Sequence, residues 1–430
     1  MTTNRVVGLD FGTTNSAIAV AEPGEGATLA HFTDGNKTTT SFRSVLYFPA
    51  IKKGQARSSV RAIAGPEAIN SYIDADTKGR LIVSIKSYLS SELFTSTSIS
   101  GRSYKLEDLI SIIIRNLRNG VIEQFEFPAT KAVVGRPVHF AGPGGESGET
   151  LALSRLKSAL ELAGFEEVFF ELEPIAAAYQ YERQLDHDEL VLIGDFGGGT
   201  SDFTLMNLGP GRRESSNAGV LGTDGVAIAG DAFDSTIMMH VVAPMLGLGS
   251  SYRSLGKELS VPVWIYSQLA SWHQMSFLKD PHTMNVLRQV KTQAVEREKI
   301  EALINIISDN LGYSLYRAVE RTKLELSKET ETSFLFHEDR VRIEDKVNRS
   351  DFESWIQIYL DSIAACVERL LVGCNVTTSD VDTVFLTGGS SLVPAVRHLF
   401  ESKFGTHRLR SGEELTTVAR GLALAALDRL

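Results

Sequence analysis

The chain has 430 residues, of which 43% are hydrophobic and 22% charged, an ordinary globular composition for two or three domains. A chain of this length buries about three-quarters of its unfolded surface, which excludes a small disulfide- or metal-stapled scaffold and a disordered chain. Lys plus Arg number 43 against 53 Asp plus Glu, a formal net charge of −10 with no basic face, which argues against a dedicated nucleic-acid binder and against an anionic membrane surface.

Residues 6–9 and 16–20 are predicted strands joined by the turn Phe11-Gly12-Thr13-Thr14. The residues 6–9 lead straight into Asp10, so the start is not a signal peptide, and no apolar run reaches the length of a membrane span. Pro23-Gly24-Glu25-Gly26 is a reverse turn before a third strand at 29–32, and 44–48 is a further strand ended by Pro49. Leu106, Leu109, Ile110, Ile113, Ile114, Leu117 and Val121 keep helical spacing. A short buried strand at 132–134 precedes the glycine-rich loop Gly142-Pro143-Gly144-Gly145 and a helix carrying Leu153, Leu156, Leu160 and Ala163.

A second series begins with a strand at 190–193 and its hairpin partner at 203–208. Residues 244–254 read as a surface loop, and 286–328 as helix broken near 309–312. A helix at 352–371, a strand at 383–386 and helices at 393–400 and 416–427 complete the chain. This alternation predicts an α/β architecture with helices covering the sheets. Cys366 and Cys374 lie in or just after an apolar helical stretch and read as buried thiols, which with the absence of a leader points to a reducing, cytoplasmic setting.

The most informative feature is a repeat. Val7-Gly8-Leu9-Asp10-Phe11-Gly12-Thr13-Thr14 is echoed by Leu192-Ile193-Gly194-Asp195-Phe196-Gly197-Gly198-Gly199-Thr200. Each is an apolar strand ending in Asp-Phe-Gly, then a Gly/Thr turn, then a second strand, which predicts a duplicated lobe. One such turn is an ordinary hairpin; two with the same flanks suit phosphate binding. Glycine lets backbone N–H groups approach an anion, and hydroxyls add donors. The aspartates imply a divalent cation, and Mg²⁺ can be held by carboxylates through its retained waters. A third turn, Thr387-Gly388-Gly389-Ser390, reads either as a tight strand-to-helix turn or as a nucleoside platform. No Walker A, His-Glu-x-x-His, Cys-x-x-Cys or Gly-x-Ser-x-Gly motif occurs, and the nine histidines, His139 and His273 among them, show no ligand spacing.

These turns resemble the nucleotide-binding core shared by actin, sugar kinases and the seventy-kilodalton heat-shock (DnaK-type) chaperones. Five segments in family order resemble the chaperone branch: Gly8-Leu9-Asp10-Phe11-Gly12-Thr13-Thr14-Asn15-Ser16, Glu171-Leu172-Glu173-Pro174-Ile175-Ala176-Ala177-Ala178-Tyr179, Asp195 to Phe203, Ala229-Gly230-Asp231-Ala232-Phe233-Asp234, and Glu320-Arg321-Thr322-Lys323. The resemblance covers essentially the whole chain. It implies a duplicated actin-like ATPase fold of two lobes with mixed sheets flanked by helices around a nucleotide cleft. Lobe I would span 1–188, lobe II 189–409, and a C-terminal helix at 410–430 would return to lobe I.

It also implies ATP or ADP with Mg²⁺ as ligands. Asp10, Asp195 and Asp202 would hold the metal through water. Gly12, Thr13, Thr14, Asn15, Gly197, Gly198, Gly199 and Thr200 would cradle phosphates, with Thr200 and Asp195 also in the catalytic set. Lys86 stands where the family has its catalytic lysine, and Glu173 would position water or the metal. Glu320 and Lys323 would meet the ribose and Ser327 the adenine, while Gly230, Gly388, Gly389 and Ser390 would line the nucleoside pocket. Taken singly, Lys86 is an ordinary surface lysine, Glu173 a helix N-terminal carboxylate, and Glu320 and Lys323 members of exposed ion pairs.

Three leucines depart from the family pattern. Leu324 replaces an arginine that stacks on adenine, Leu392 replaces another arginine after the Gly-Gly-Ser turn, and Leu415 falls near a family aspartate. The run Gly135-Arg136-Pro137-Val138-His139-Phe140 marks a divergent branch. No apolar linker or β-rich peptide-binding domain follows the last helix before Leu430. The expected function is slow Mg-dependent ATP hydrolysis gating contact with client proteins or co-chaperones, by a monomer or weak oligomer with no nucleic-acid or membrane partner. An actin-like filament, a small-molecule kinase and a nucleotide-gated scaffold without useful turnover are the alternatives.

Overall fold

The structure, a computed structural model, describes residues 5–35, 37–51, 61–75, 79–140, 145–211, 219–254, 256–271, 275, 278–338, 340–411 and 417–429. It divides into two units. One comprises Met1–Ala229, Ser362–Ser391 and Val396–Leu430, and the other Gly230–Asp361 and Leu392–Ala395.

The first unit holds two sheets. In the first, β1 (Val6–Phe11), β2 (Asn15–Glu22), β3 (Gly26–Leu29), β4 (Lys131–Arg136) and β5 (Glu167–Leu172) lie in the order β5-β4-β1-β2-β3. The second has β6 (Glu189–Phe196), β7 (Ser201–Leu208), β8 (Val220–Val226), β9 (Thr383–Thr387) and β10 (Leu409–Ser411) in the order β10-β9-β6-β7-β8. Directions match as well. The β1–β2, β2–β3, β6–β7 and β7–β8 pairs are antiparallel, while β1–β4, β4–β5, β6–β9 and β9–β10 are parallel. The chain therefore folds one supersecondary pattern twice, as the repeated Asp-Phe-Gly motif requires.

The central strands are apolar without alternation because helices cover both faces. One face of the first sheet packs on the helix Leu106–Phe125, whose buried side includes Leu109, Ile110, Ile113, Ile114, Leu117 and Val121, and on the helix Gly145–Ala163. The other face is built from small side chains. Ala17, Ala19 and Ala21 of β2 meet Ala176–Ala178 of the helix Glu173–Glu182 and Ala419, Ala423 and Ala426 of the helix Thr417–Arg429. Val191 and Ile193 of β6 and Met206 of β7 share that cluster, so both sheets bury against one thin layer. A Cβ on Gly8 would lie 2.2 Å from Ala423 N, which is how close the C-terminal helix comes to β1.

Several predicted elements shift. The third strand is Gly26–Leu29 rather than 29–32, because the turn at Pro23 closes directly onto β2; Phe32–Asp34 pairs separately with Lys37–Thr39. The strand expected at 44–48 divides: Phe42–Arg43 joins β2, and Leu46–Phe48 pairs with Ile63–Ala64 and Arg80–Ile82. The strand β5 was not predicted, since its Glu-Val-Phe-Phe-Glu-Leu run mixes charge and aromatic residues at the edge of the sheet. The glycine-rich loop lies outside the described residues except for Gly145, which opens its helix.

The second unit is mostly helical. The helices Pro281–Gln293, Arg297–Ser308 and Gly312–Leu326 fill the stretch predicted as broken helix. The first starts cleanly because Asp280 accepts hydrogen bonds from His282 N and Thr283 N at 2.8 and 3.2 Å, with Pro281 at the first position. The predicted break falls at Asn310, which adopts φ 57, and a second, unpredicted one separates Gln293 from Arg297. The region 244–254, expected as loop, ends in Ser251–Ser254, the first strand of a hairpin with Lys257–Ser260 that turns at Gly256, φ 76. A second unpredicted hairpin pairs Glu331–Glu338 with Val341–Asn348. Among the described residues no helix is long and apolar enough to cross a membrane. Cys366 is a buried free thiol, as expected, whereas Cys374 is only partly buried.

Candidate functional site

The two Asp-Phe-Gly turns are equivalent in register. In the first, Asp10 faces Ala17 and Phe11 faces Ser16; in the second, Asp195 faces Asp202 and Phe196 faces Ser201. Each leaves a four-residue loop, Gly12–Asn15 or Gly197–Thr200. Gly12 must be glycine because the loop doubles back on itself: a Cβ there would sit 2.0 Å from Asn15 O. Gly12 N donates to Ser16 Oγ at 3.3 Å, Ser16 Oγ contacts Ser44 Oγ at 2.8 Å, and Ser44 N donates to Thr14 O at 3.0 Å. In the second loop Gly197 N donates to Thr200 O at 2.9 Å. The third glycine turn abuts this loop. Gly388 has φ 86, its Cβ would meet Phe196 O at 2.2 Å, and Ser390 Oγ donates to Gly197 O at 3.3 Å.

Between the two turns lies a buried charge cluster. Lys86, on the one-turn helix Ile85–Tyr88, donates from Nζ to Glu173 Oε1 at 2.8 Å, with only 10% and 11% of the two side chains exposed. Glu173 begins the helix Glu173–Glu182 and lies against β4, where a Cβ on Gly135 would meet its Cγ at 3.0 Å. Burial would pull the Lys86 ammonium down, but Glu173, Asp10 and Asp195 outweigh it and push it up. Asp10 is pushed up to about 8, chiefly by burial and then by the Glu173 and Asp195 carboxylates, with Lys86 opposing. Asp195 rises to about 7 through burial and Glu173. Asp202 rises to about 8 through burial and Asp195, although Thr200 Oγ1 donates to its Oδ2 at 2.9 Å. One cation thus faces four carboxylates, an excess of negative charge that low-dielectric surroundings make costly.

The arrangement fits a divalent ion with a phosphate ligand. Among the described residues no three carboxylate, imidazole or thiol groups converge tightly enough to hold a metal directly. The loops also present unfilled capacity. Thr14 Oγ1 is buried with no hydrogen-bond partner, and a Cβ on Gly199 or Gly389 would point into open space.

The raised carboxylates make a testable link to pH. Unfolded aspartates release their protons near 3.8, whereas Asp10, Asp195 and Asp202 hold theirs to about 7–8 in the fold. The folded chain therefore binds more protons than the unfolded one across that window, so stability falls as pH rises through it. The melting temperature in EDTA is expected to drop between about pH 5 and about pH 8, and millimolar Mg²⁺ to raise it more at the upper end. A flat profile with equal Mg²⁺ effects would show that these carboxylates are not thrown together as described.

In the second unit Gly230, Lys323 and Ser327 of the expected nucleoside residues are linked, while Lys323 and Glu320 also meet residues not predicted for the site. Lys323 Nζ pairs with Asp234 Oδ2 at 2.7 Å and donates to Gly230 O at 3.3 Å. Ser327 Oγ donates to Lys323 O at 3.0 Å, and Glu320 lies 3.7 Å from Arg317. Asp234, pushed up to about 6 by burial despite Lys323, was not singled out from sequence, although it stands in the quoted run Ala229 to Asp234. Of the departures, Leu324 is 47% exposed and Leu392 39% exposed; Leu415 lies outside the described residues, as does His273.

The family model described as Hsp70 protein matches residues 6–246 and 288–427, so the chain belongs to the Hsp70 family. It is a nucleotide-binding, chaperone-like protein with the α/β fold of that ATPase family.

Proposed function

We propose that this Hsp70-family chain binds Mg-ATP and hydrolyses it slowly, using the bound nucleotide to gate contact with a protein client or co-chaperone. The observation that carries the reading is the meeting of Asp10 and Asp195. They occupy equivalent positions of two duplicated hairpins, and each acts on the same Lys86–Glu173 pair.

In this reading Gly12, Thr13, Thr14 and Asn15 hold phosphate from one turn, and Gly197, Gly198, Gly199 and Thr200 from the other. Asp10, Asp195 and Asp202 would hold Mg²⁺ through water, and the ion would supply neutralisation of the triphosphate charge. Lys86 offsets charge on the γ-phosphoryl group, and Glu173 keeps the ammonium aimed and orients the attacking water. Water oxygen bonds to the γ-phosphorus as the bond to the bridging oxygen breaks, releasing ADP and phosphate. The nucleoside roles of Gly230, Glu320, Lys323, Ser327, Gly388, Gly389 and Ser390 rest on the family resemblance, as do the lobe limits 1–188, 189–409 and 410–430. A cytoplasmic setting belongs to the same proposal.

Titration calorimetry with ATP and ADP, with and without Mg²⁺, tests the site. Binding that requires Mg²⁺ supports it; no heat with either nucleotide rejects it. Asp10→Asn and Thr200→Ala are each expected to slow hydrolysis by about tenfold or more, since each removes a charge or donor at the phosphoryl group. Unchanged phosphate release in both would discard the assignment.

A second reading, a nucleotide-gated scaffold without useful turnover, draws on Leu324. An exposed leucine can pack on a purine but supplies no cation–π attraction, so nucleotide would be held more weakly than by an arginine. Lys86→Ala would then leave partner binding intact.

A further inference from the structure

We infer that Arg155 is the positioning residue that fixes Lys86 for phosphoryl transfer, an inference that rests on the proposed ATPase site. Lys86 does not sit on a long helix or a central strand. It rides on the single turn Ile85–Tyr88, and the residue before that turn, Ser84, is left-handed at φ 50, ψ 34. Serine adopts that conformation infrequently and at a cost. Ser84 is buried and its hydroxyl has no hydrogen-bond partner, so its own side chain does not hold it there.

The restraint comes from the other side of the turn. Arg155, on the helix Gly145–Ala163, reaches over the segment and collects its carbonyls. Nη1 donates to Leu89 O at 3.0 Å and Ser91 O at 2.9 Å, with Tyr88 O at 3.3 Å, and Nη2 donates to Phe94 O at 2.8 Å. A guanidinium suits this task because its planar fork presents several donors at fixed angles. Arg155 is itself held: its Nε lies 3.7 Å from Glu107, at the start of the helix Leu106–Phe125, and 12% of its side chain is exposed. Ile85 and Leu89 are buried beneath the segment, and a Cβ on Gly148 would meet Ser90 at 3.4 Å, so helix and segment are closely seated.

The clamp therefore closes one end of a short strained turn while the apolar core holds its underside. Lys86 Nζ is held against Glu173 at 2.8 Å, with Asp10 and Asp195 also acting on it. Released from Arg155, Ser84 can relax toward ordinary backbone angles, and the ammonium swings off the carboxylate. Among the described residues Arg155 meets Glu107 and the carbonyls of the segment and none of the proposed phosphate or metal residues, so its effect on chemistry runs through where Lys86 points.

The test uses the full chain with Arg155→Met and Arg155→Lys, and with Lys157→Ala on the same helix as a control. Two readouts are taken: Mg-ATP turnover with its KM, and the rate at which a limiting amine-acylating reagent modifies Lys86, followed by peptide mass spectrometry. For Arg155→Met, kcat is expected to fall on the order of tenfold or more at nearly constant KM, because a small misplacement of a catalytic group costs rate rather than binding. Lys86 acylation is expected to speed up severalfold. Arg155→Lys, which keeps the charge but has fewer donors, should fall between, and Lys157→Ala should match the parent. Unchanged Lys86 acylation in both Arg155 variants, or a KM that rises in step with any loss, overturns the inference. If the parent turns over no ATP yet Lys86 acylation still accelerates in Arg155→Met, the ATPase reading fails and the positioning role stands.

Discussion

Lys86→Met is expected to lower the ATP turnover number by about a hundredfold to a thousandfold while Mg-ATP binding survives, the size of effect seen when a preorganised electrostatic group is removed from a reacting centre. Methionine keeps the length and apolar stem of the side chain, so packing changes little. What is lost is the one ammonium facing Glu173, Asp10 and Asp195. In the ground state that charge offsets carboxylates, and in the transition state it would face the equatorial oxygens of the transferring group. Phosphate release under single turnover, beside an affinity from calorimetry, separates the two. Equal loss of rate and affinity would make Lys86 a binding residue only. The same change leaves Glu173 buried without its partner, so the melting temperature should fall as well. Adding Glu173→Gln to Lys86→Met removes the stranded charge. The pair should recover stability, which assigns the fall in melting temperature to the stranded carboxylate and leaves the loss of turnover to the missing ammonium and its partner.

The duplicated turns were legible because they are local. Asp10-Phe11-Gly12 and Asp195-Phe196-Gly197 carry their geometry within eight residues, so the two strands on either side and the loop between followed from the residues themselves. The long helices were legible for the same reason, through the spacing of Leu106 to Val121. What sequence did not reveal depends on distant partners. Glu167–Leu172 is a strand only because Lys131–Arg136 offers it a parallel edge. Lys86 looks like a surface lysine until Glu173, 87 residues later, is brought to it. The grip of Arg155 on residues 88–94 joins segments 61–67 residues apart and leaves no local signature. Leu324 is a departure only against the family resemblance; the fold itself shows it as an exposed leucine on the helix Gly312–Leu326.

Gly421→Ala tests the layer on which both sheets depend, and propensity and packing disagree about its sign. Within a helix, alanine is favoured over glycine by roughly 1 kcal/mol, so the helix Thr417–Arg429 taken alone should gain. The position has no such freedom. A Cβ on Gly421 would lie 1.8 Å from Ala176 O and 2.7 Å from Ala176 C, both backbone atoms of the facing helix. Neither atom can rotate away, so the two helices must separate, and the neighbouring contacts of Ala177, Ala419 and Ala423 open with them. Overpacking in a close-packed interior costs about 1–3 kcal/mol and more where backbone is the obstacle, which exceeds the helical gain. The variant is therefore expected to lose several degrees or more of melting temperature. Gly373→Ala is the internal comparison. It ends the helix Arg349–Gly373, a Cβ there would meet nothing within 4 Å, and it should be neutral or slightly stabilising. A stable Gly421→Ala would show that the two helices are not in backbone contact. Because Glu173 opens the helix that would be pushed away, turnover in Gly421→Ala should decline even at temperatures where the chain remains folded.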